Sequence, residues 1–418
     1  MTAAPPLDLS SLGDGAALVP LVWSEAPDLQ PWKAQVEVAL AARDKTTRLP
    51  NPGLDVSLNT LPVGPSNPVD LPQPFLNVPN VQVGVSVLLE VGKRGPRQAA
   101  ASADVEAVVF QAQAALRSQL LALYDVIGDA AAAEVRVVTL EELLRNAEKL
   151  AALQEARAQR GDTSPLDADR ARLEQEGAGA QLAEAREQLA EALRGCASVI
   201  ARPCRPFGDV VKAAAWLDQR FEGSAPVGQR PDLLALEAAN RASKAREALA
   251  LNAALPDPTV RLGYVHDRFL VSGNQMNSLF VGASLPLPVF DRGQDDARAA
   301  RALVEATERE GAQRVAAARN QLESMGLEVA AAEARQARLK TRALPLATSV
   351  VQRLELAVAR GAAPLQELLF AQRTRAELTV SAIDVDRRVF HLHVKRARAS
   401  AAPLPGQELL EVAPRSPP

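Results

Sequence analysis

The sequence predicts an α+β membrane protein. Four strands per chain join those of other copies in a β-barrel, continued by long α-helices as a coiled-coil barrel. Three observations carry that expectation: long alanine-rich helical hairpins, short alternating segments, and the occurrence of both, in the same order, twice over. The hairpin tips show the duplication most directly. One reads Arg160-Gly161-Asp162-Thr163-Ser164-Pro165-Leu166-Asp167 and the other Arg360-Gly361-Ala362-Ala363-Pro364-Leu365-Gln366-Glu367. At an offset of 200, Arg160 falls on Arg360, Gly161 on Gly361, Asp167 on Glu367 and Ala171 on Ala371. In each tip a glycine able to take positive φ ends one helix, and polar and proline residues start the next. Two such hairpins in one chain indicate an internal duplication.

Residues 1–26 are irregular and proline-containing, and no function is read from them. The first repeat, 27–195, opens with a helix from Pro27-Asp28-Leu29 to Arg48, closed by Leu49-Pro50-Asn51-Pro52. A strand over about 53–59 follows, in which Leu54, Val56 and Leu58 alternate with Asp55, Ser57 and Asn59. In the next, over about 80–89, Val81, Val83, Val85 and Val87 alternate with Gln82, Gly84 and Ser86. Period two with one apolar face is the strand signature, and the pair reads as a hairpin with a long loop. From Arg97 to Arg160 run 64 residues with no proline and one glycine, Gly128. A helix of that length would extend about 100 Å, so it must belong to a coiled-coil-like assembly. The first tip, about 160–166, leads into a returning helix. A connector, 196–228, holds Cys196, Cys204 and Trp216.

The second repeat, 229–399, retraces this order. Arg230-Pro231-Asp232-Leu233 opens a helix and Leu255-Pro256-Asp257-Pro258 closes it. Strands over about 259–265 and 278–287 follow; Val281-Gly282-Ala283-Ser284-Leu285 matches Val83-Gly84-Val85-Ser86-Val87 at an offset of 198. A long helix starts at Gln294, is expected to bend at Pro345, and reaches the second tip at about 360–366; the last helix spans about Leu365 to Ala399. Residues 400–418 are expected to be a disordered tail.

Hydrophobic residues make up 47% of the chain but aromatics only 3%, a composition suited to helices packed closely through small side chains. The net charge of −3 gives no case for nucleic acid as a partner. The spacer between Cys196 and Cys204 is short enough for a local disulfide in an oxidising compartment; the alternative is two small buried thiols. No run is long and apolar enough for a transmembrane helix, which leaves outer-membrane barrels open because their strands alternate. Met1 to Pro20 has neither the basic start nor the compact apolar core of a secretory leader. Four strands cannot close a barrel and would leave unpaired edges in lipid; pooling strands from several chains removes the edges.

The duplicated order, the Leu-Pro-Asn/Asp-Pro entry to each first strand, Arg230-Pro231-Asp232, and the Arg-Gly tips followed by an acid and Ala resemble TolC-type outer-membrane efflux proteins over about residues 21–400. Leu89-Glu90-Val91-Gly92-Lys93-Arg94-Gly95-Pro96-Arg97 and Leu285-Pro286-Leu287-Pro288-Val289-Phe290-Asp291-Arg292 resemble the CzcC-type, heavy-metal efflux branch. The resemblance implies a homotrimer with a twelve-stranded barrel in outer-membrane lipid and a helical tunnel across the periplasm. It also implies two partners, a periplasmic membrane-fusion adaptor and an inner-membrane pump, with the channel itself passive. The family narrows the periplasmic end with carboxylates; one falls on Glu367, the other on Phe370, and the closed-state latch positions hold Val358 and Ala363.

Glu367 and Asp167 are therefore gate or lumen candidates, able to attract cations through local negative potential. The plainer reading is first-turn acids stabilised by the helix dipole. Arg160, Gly161, Arg360 and Gly361 are candidate adaptor-docking residues as well as helix caps. His391 and His393, two apart, cannot form an i, i+4 metal pair and read as surface histidines; His266 and Met276 are isolated. No catalytic spacing and no cofactor site is present in the pattern, so no enzyme is expected. The rival reading is a soluble coiled-coil scaffold or adaptor-like periplasmic protein, for which the strands would have no use. A barrel predicts Val83, Val85 and Val87 against lipid and Gln82, Gly84 and Ser86 toward the lumen.

Overall fold

The computed structural model describes residues 5–13, 15–65, 69–221, 226–268 and 275–406. In chain order its elements begin with β1 (Leu7–Asp8), α1 (Leu18–Glu25), α2 (Gln30–Thr47), β2 (Gly53–Asn59), α3 (Pro74–Asn77) and β3 (Asn80–Leu88). The first long hairpin is α4 (Arg94–Gln159) and α5 (Pro165–Ile200), followed by β4 (Cys204–Arg205) and α6 (Val210–Leu217). Then come α7 (Pro231–Leu251), β5 (Thr259–Asp267), β6 (Asn277–Ser284), α8 (Gln294–Arg338), α9 (Leu344–Ala359) and α10 (Leu365–Ala399). A π-helical turn, Leu339–Ala343, joins α8 to α9. The break expected at Pro345 thus lies just before it: Pro345 has no N–H for the helical ladder, and the wider turn absorbs the irregularity.

The chain divides into two compact units, each drawing on both halves of the sequence. One comprises Gln35–Val108 and Ala235–Gly311. Its four strands form a single open antiparallel sheet in the order β2-β3-β5-β6, so the two repeats meet at the β3–β5 pair. On its helices the small buried residues Ala100, Ala103, Ala107, Ala238 and Ala242 allow close backbone approach, as the alanine-rich composition predicts. Exposed ion pairs, among them Arg241–Glu106, Lys244–Glu308 (2.8 Å) and Arg301–Glu247 (3.2 Å), flank these contacts and add little stability each.

The other unit comprises Met1–Ala34, Val109–Leu234 and Ala312–Pro418, and contains both hairpin tips. Its core gathers the scarce aromatics: Tyr124 stacks on Trp216 with ring centroids 5.4 Å apart, and Phe221 meets Tyr124 edge-on at 5.0 Å. The N-terminal segment, expected to be irregular, carries α1 and packs into this core. Leu9, Leu18, Val22 and Leu29 are fully buried in this core, and β1 pairs in parallel with β4. Burial of these side chains in the shared core offsets the ordering entropy of a segment with little propensity of its own.

Buried Arg117 of α4 donates from Nη2 to the carbonyl oxygens of Ala397 (2.6 Å) and Ser400 (3.3 Å), and Arg230 donates to that of Ala399 (3.1 Å). Two guanidiniums therefore satisfy the carbonyls at the C-terminal end of α10, where cations are favoured by the helix dipole. The second repeat's Arg230-Pro231-Asp232 opening thereby acquires a structural role. Burial lowers the Arg117 pKa to about 10, and Arg230 nearby acts in the same direction. The tail expected from residue 400 onward is packed at its start: Ala402 and Leu404 are buried, and Gly406 takes a positive φ of 76° against the backbone of Ala16. Residues 407–418 lie outside the described residues.

Candidate functional site

The sheet's pairing register sorts its side chains into two faces of opposite character. Leu54, Val85, Leu262 and Val281 lie in one cross-strand row, and Val56, Val83, Tyr264 and Leu279 in the next. All eight are solvent-exposed in the single chain, Leu279 and Val281 to 78% each. The intervening rows occupy the other face: Asp55, Gly84, Gly263 and Phe280 in one, Ser57, Gln82, Val265 and Ser278 in another. A contiguous apolar face of this kind requires a non-aqueous neighbour, and its alternation with a polar face is the pattern of a lipid-facing strand. Among the described residues the outermost strands β2 and β6 each have one unpaired edge. At the glycine pair the second face is bare backbone, and the Phe280 ring lies over it: a Cβ on Gly263 would come within 2.5 Å of that ring.

The hairpin tips are closed by the same bonds at an offset of 200 residues. In the first, Gly161 N–H donates to Ala158 O (3.0 Å) and Asp162 N–H to Arg157 O (2.9 Å). In the second, Gly361 N–H donates to Val358 O (3.1 Å) and Ala362 N–H to Ala357 O (2.8 Å). Gly161 and Gly361 take φ of 81° and 71°, which glycine adopts without steric cost. Arg160 and Arg360 are exposed beside them.

The acids at the two tips differ. Asp167 is partly buried, accepts from Thr163 Oγ1 at 3.3 Å and pairs with Arg170 at 3.4 Å, while its N–H donates to the Ser164 hydroxyl. Glu367 is exposed in the first turn of α10, three residues from Phe370, which is 74% exposed. Leu368 and Ala371 turn the opposite way and pack with Val351 of α9. Glu367 and Phe370 therefore share a face that has no partner within the tip's own core, whereas Asp167 is occupied locally. Cys196 and Cys204 form a disulfide that fastens the end of α5 to β4.

Sequence reasoning missed the polar cluster that joins α4 to α10. His391 is not a bare surface group: Nδ1 lies 2.8 Å from Asp125 and Nε2 2.7 Å from Asp129. Arg387 also pairs with Asp129 (2.6 Å) and Arg398 with Asp125 (3.3 Å). With a carboxylate on each nitrogen the ring is held as imidazolium. Burial acts against the charge, but the hydrogen bonds and charges of Asp125 and Asp129 outweigh it and raise the pKa from 6.5 to about 9. A raised folded-state pKa contributes stability that is complete below the unfolded value and lost as pH rises through the folded one. Thermal stability in detergent is therefore expected to fall between pH 6.5 and about 9, and His391→Gln to flatten that part of the profile. An unchanged slope in His391→Gln would assign the pH dependence elsewhere. His393 differs: its side chain is buried, it contacts Glu333 at 2.9 Å, and burial lowers its pKa.

Among the described residues no helix is long and apolar enough to cross a membrane, and no cluster of His, Cys, Asp and Glu could hold a metal ion. His266 Nδ1 lies 3.0 Å from Asn277 Oδ1. Residues 18–201 match the family model described as outer membrane efflux protein. No curated protein has a matching sequence. Solved structures are similar over nearly the whole chain. CusC, described in connection with transmembrane channel formation, has a TM-score of 0.74 at 18% identity, covering 93% of this chain and 92% of its own. VceC, an outer-membrane protein of Vibrio cholerae, has 0.71 at 16%, covering 92% and 95%. MtrE, an outer-membrane channel of Neisseria gonorrhoeae captured in its open state, has 0.69 at 16%, covering 94% and 90%. The open four-stranded sheet and the paired helical hairpins thus share the fold of these solved proteins, and residues 18–201 match the outer membrane efflux protein sequence pattern.

Proposed function

We propose that this chain is the passive outer-membrane exit duct of a tripartite efflux pump. The observation that carries the reading is the two-faced sheet with both edges open. Three copies would pool twelve strands, closing the edges and turning the Leu54–Val85–Leu262–Val281 row to lipid and the Gly84–Gly263–Phe280 row to the lumen. The helical hairpins would continue the barrel into the periplasm, where the disulfide suits an oxidising compartment. Arg160, Gly161, Arg360 and Gly361, exposed at rigidly capped tips, would meet a membrane-fusion adaptor coupled to an inner-membrane pump. Glu367 would supply the negative potential at the tunnel end, with Phe370 beside it narrowing the passage; Asp167, already hydrogen-bonded, would have a lesser part. Heavy-metal cations are the proposed cargo, on the resemblance of Leu89–Arg97 and Leu285–Arg292 to that branch. A duct of this kind performs no covalent chemistry, and a soluble scaffold would have no use for the exposed apolar rows.

Light scattering of the detergent-extracted protein tests the assembly. The expected protein mass is three times 44.4 kDa, with loss of monodispersity when detergent is removed. A monodisperse monomer or dimer in plain buffer would overturn the channel reading.

A further inference from the structure

At the helix-side end of the sheet the chain exposes a second apolar feature that neither strand pairing nor helix packing accounts for. Between β6 and α8, Leu285, Leu287, Val289 and Phe290 are all exposed, Phe290 to 94%. Pro286 and Pro288 remove two backbone donors from this segment, so it cannot extend the sheet as an ordinary strand. Local bonds brace it and the start of α8. Val289 N–H donates to Leu287 O (2.9 Å), Arg292 N–H to Gln294 Oε1 (2.8 Å), and Gly293 N–H to Asp291 Oδ1 (2.8 Å). The loop is consequently a locally braced turn that presents its apolar side chains outward. Leu49 and Leu89, at the same end of β2 and β3, are exposed as well.

Cations lie at the same level. The turn at Asn252–Ala254 abuts Gly92 on one side, where Asn252 Nδ2 donates to Gly92 O (2.7 Å), and Gly293 on the other, where a Cβ would meet Ala253 at 2.9 Å. Arg94 donates to Thr47 O (2.7 Å), next to Arg48. Arg48, Arg94 and Arg292 are exposed, and among the described residues none of them forms an ion pair, although arginines on the adjoining helices commonly do. Exposed apolar side chains and, past Asp291, guanidiniums that form no ion pair among the described residues stand together at the boundary of an apolar face, and complement acyl chain and phosphate of a lipid leaflet.

We propose that the Leu285–Phe290 loop with Arg48, Arg94 and Arg292 is an interfacial anchor, seating the loop among the upper acyl chains of the leaflet nearest the helices and the guanidiniums on phospholipid phosphates. The proposal rests on the sheet being lipid-facing. Its occupant is phospholipid; burial of the loop against a second copy is the competing outcome. The anchor would fix the depth of the apolar sheet face in the bilayer, because the loop is braced by local bonds to the start of α8.

The test uses the full chain reconstituted in vesicles of phosphatidylethanolamine and phosphatidylglycerol, with tryptophan introduced as Phe290→Trp or, separately, Val85→Trp, each corrected for the native protein's fluorescence. Phospholipids carry bromine either high on the acyl chain, near the glycerol, or near the terminal methyl. Phe290→Trp is expected to be quenched more by the high position and Val85→Trp more by the low one. Quenching of Val85→Trp without quenching of Phe290→Trp overturns the anchor and leaves the barrel; quenching of neither overturns the barrel reading itself. For the phosphate contact, Arg48→Gln/Arg94→Gln/Arg292→Gln is expected to roughly halve the phosphatidylglycerol retained on the trimer in native mass spectrometry. An unchanged count overturns the assignment of the guanidiniums to lipid.

Discussion

Val85→Arg is expected to abolish assembly in the outer membrane. Val85 lies between Leu54 and Leu262 in the middle of the apolar face, and all three are exposed in the isolated chain. A lysine or arginine facing lipid near the bilayer midplane costs about 2–4 kcal/mol in a barrel, and a homotrimer would incur that cost once per copy. The net stability of a domain is itself only about 5–15 kcal/mol, so the summed penalty is comparable with everything that holds the assembly together. Gln82→Arg is the control. Gln82 lies on the same strand but the opposite face, paired with Ser57 and Val265, where a lumen would hydrate the charge. Membrane fractionation with detection of the detergent-stable oligomer distinguishes the two substitutions. Equal assembly of Val85→Arg and Gln82→Arg would show that the two faces see the same medium, and the barrel would have to be abandoned.

The strands behind that prediction were legible because alternation is a local signal. Leu54, Val56 and Leu58, or Val81 through Val87, declare a face without reference to any other part of the chain, and the sheet register places them on one side together. The hairpin tips were legible for the same reason: glycine φ and capping are decided within a few residues, and the two tips repeat the same bonds. What could not be read was contact between distant residues. His391 looked like a surface side chain because its carboxylates, Asp125 and Asp129, lie 266 and 262 residues away. The N-terminal Leu7, Leu9 and Leu12 show no period, since they fill a core made by other helices. The pairing of β3 with β5 across the repeats, and the use of Arg230 to hold the end of α10, likewise depend on which elements become neighbours. A helical pattern that lacks proline also does not reveal why it carries a single glycine.

That glycine, Gly128, leads to the second large effect. Alanine at a helix interior is ordinarily favoured over glycine by about 1 kcal/mol, so by propensity alone Gly128→Ala should stabilise α4. The packing reverses the sign. A Cβ on Gly128 would lie 2.3 Å from Cε1 and 2.5 Å from Cδ1 of Phe390, and Phe390 is fully buried in the core with Tyr124, Trp216 and Ile127. The ring has no solvent side toward which to swing, so the added methyl must separate α4 from α10, at about 1–3 kcal/mol for overpacking. Phe390→Ala removes the ring and leaves a cavity, with an expected loss of about 3–5 kcal/mol. The informative result is the double variant. Once the ring is gone, the methyl of Gly128→Ala enters empty space and recovers the helix-propensity gain of about 1 kcal/mol. Gly128→Ala should therefore destabilise the native protein yet stabilise Phe390→Ala, as read from urea midpoints of the detergent-solubilised protein at fixed protein concentration. A substitution that acts with the same sign in both backgrounds would show that Gly128 is kept for a reason other than the ring of Phe390.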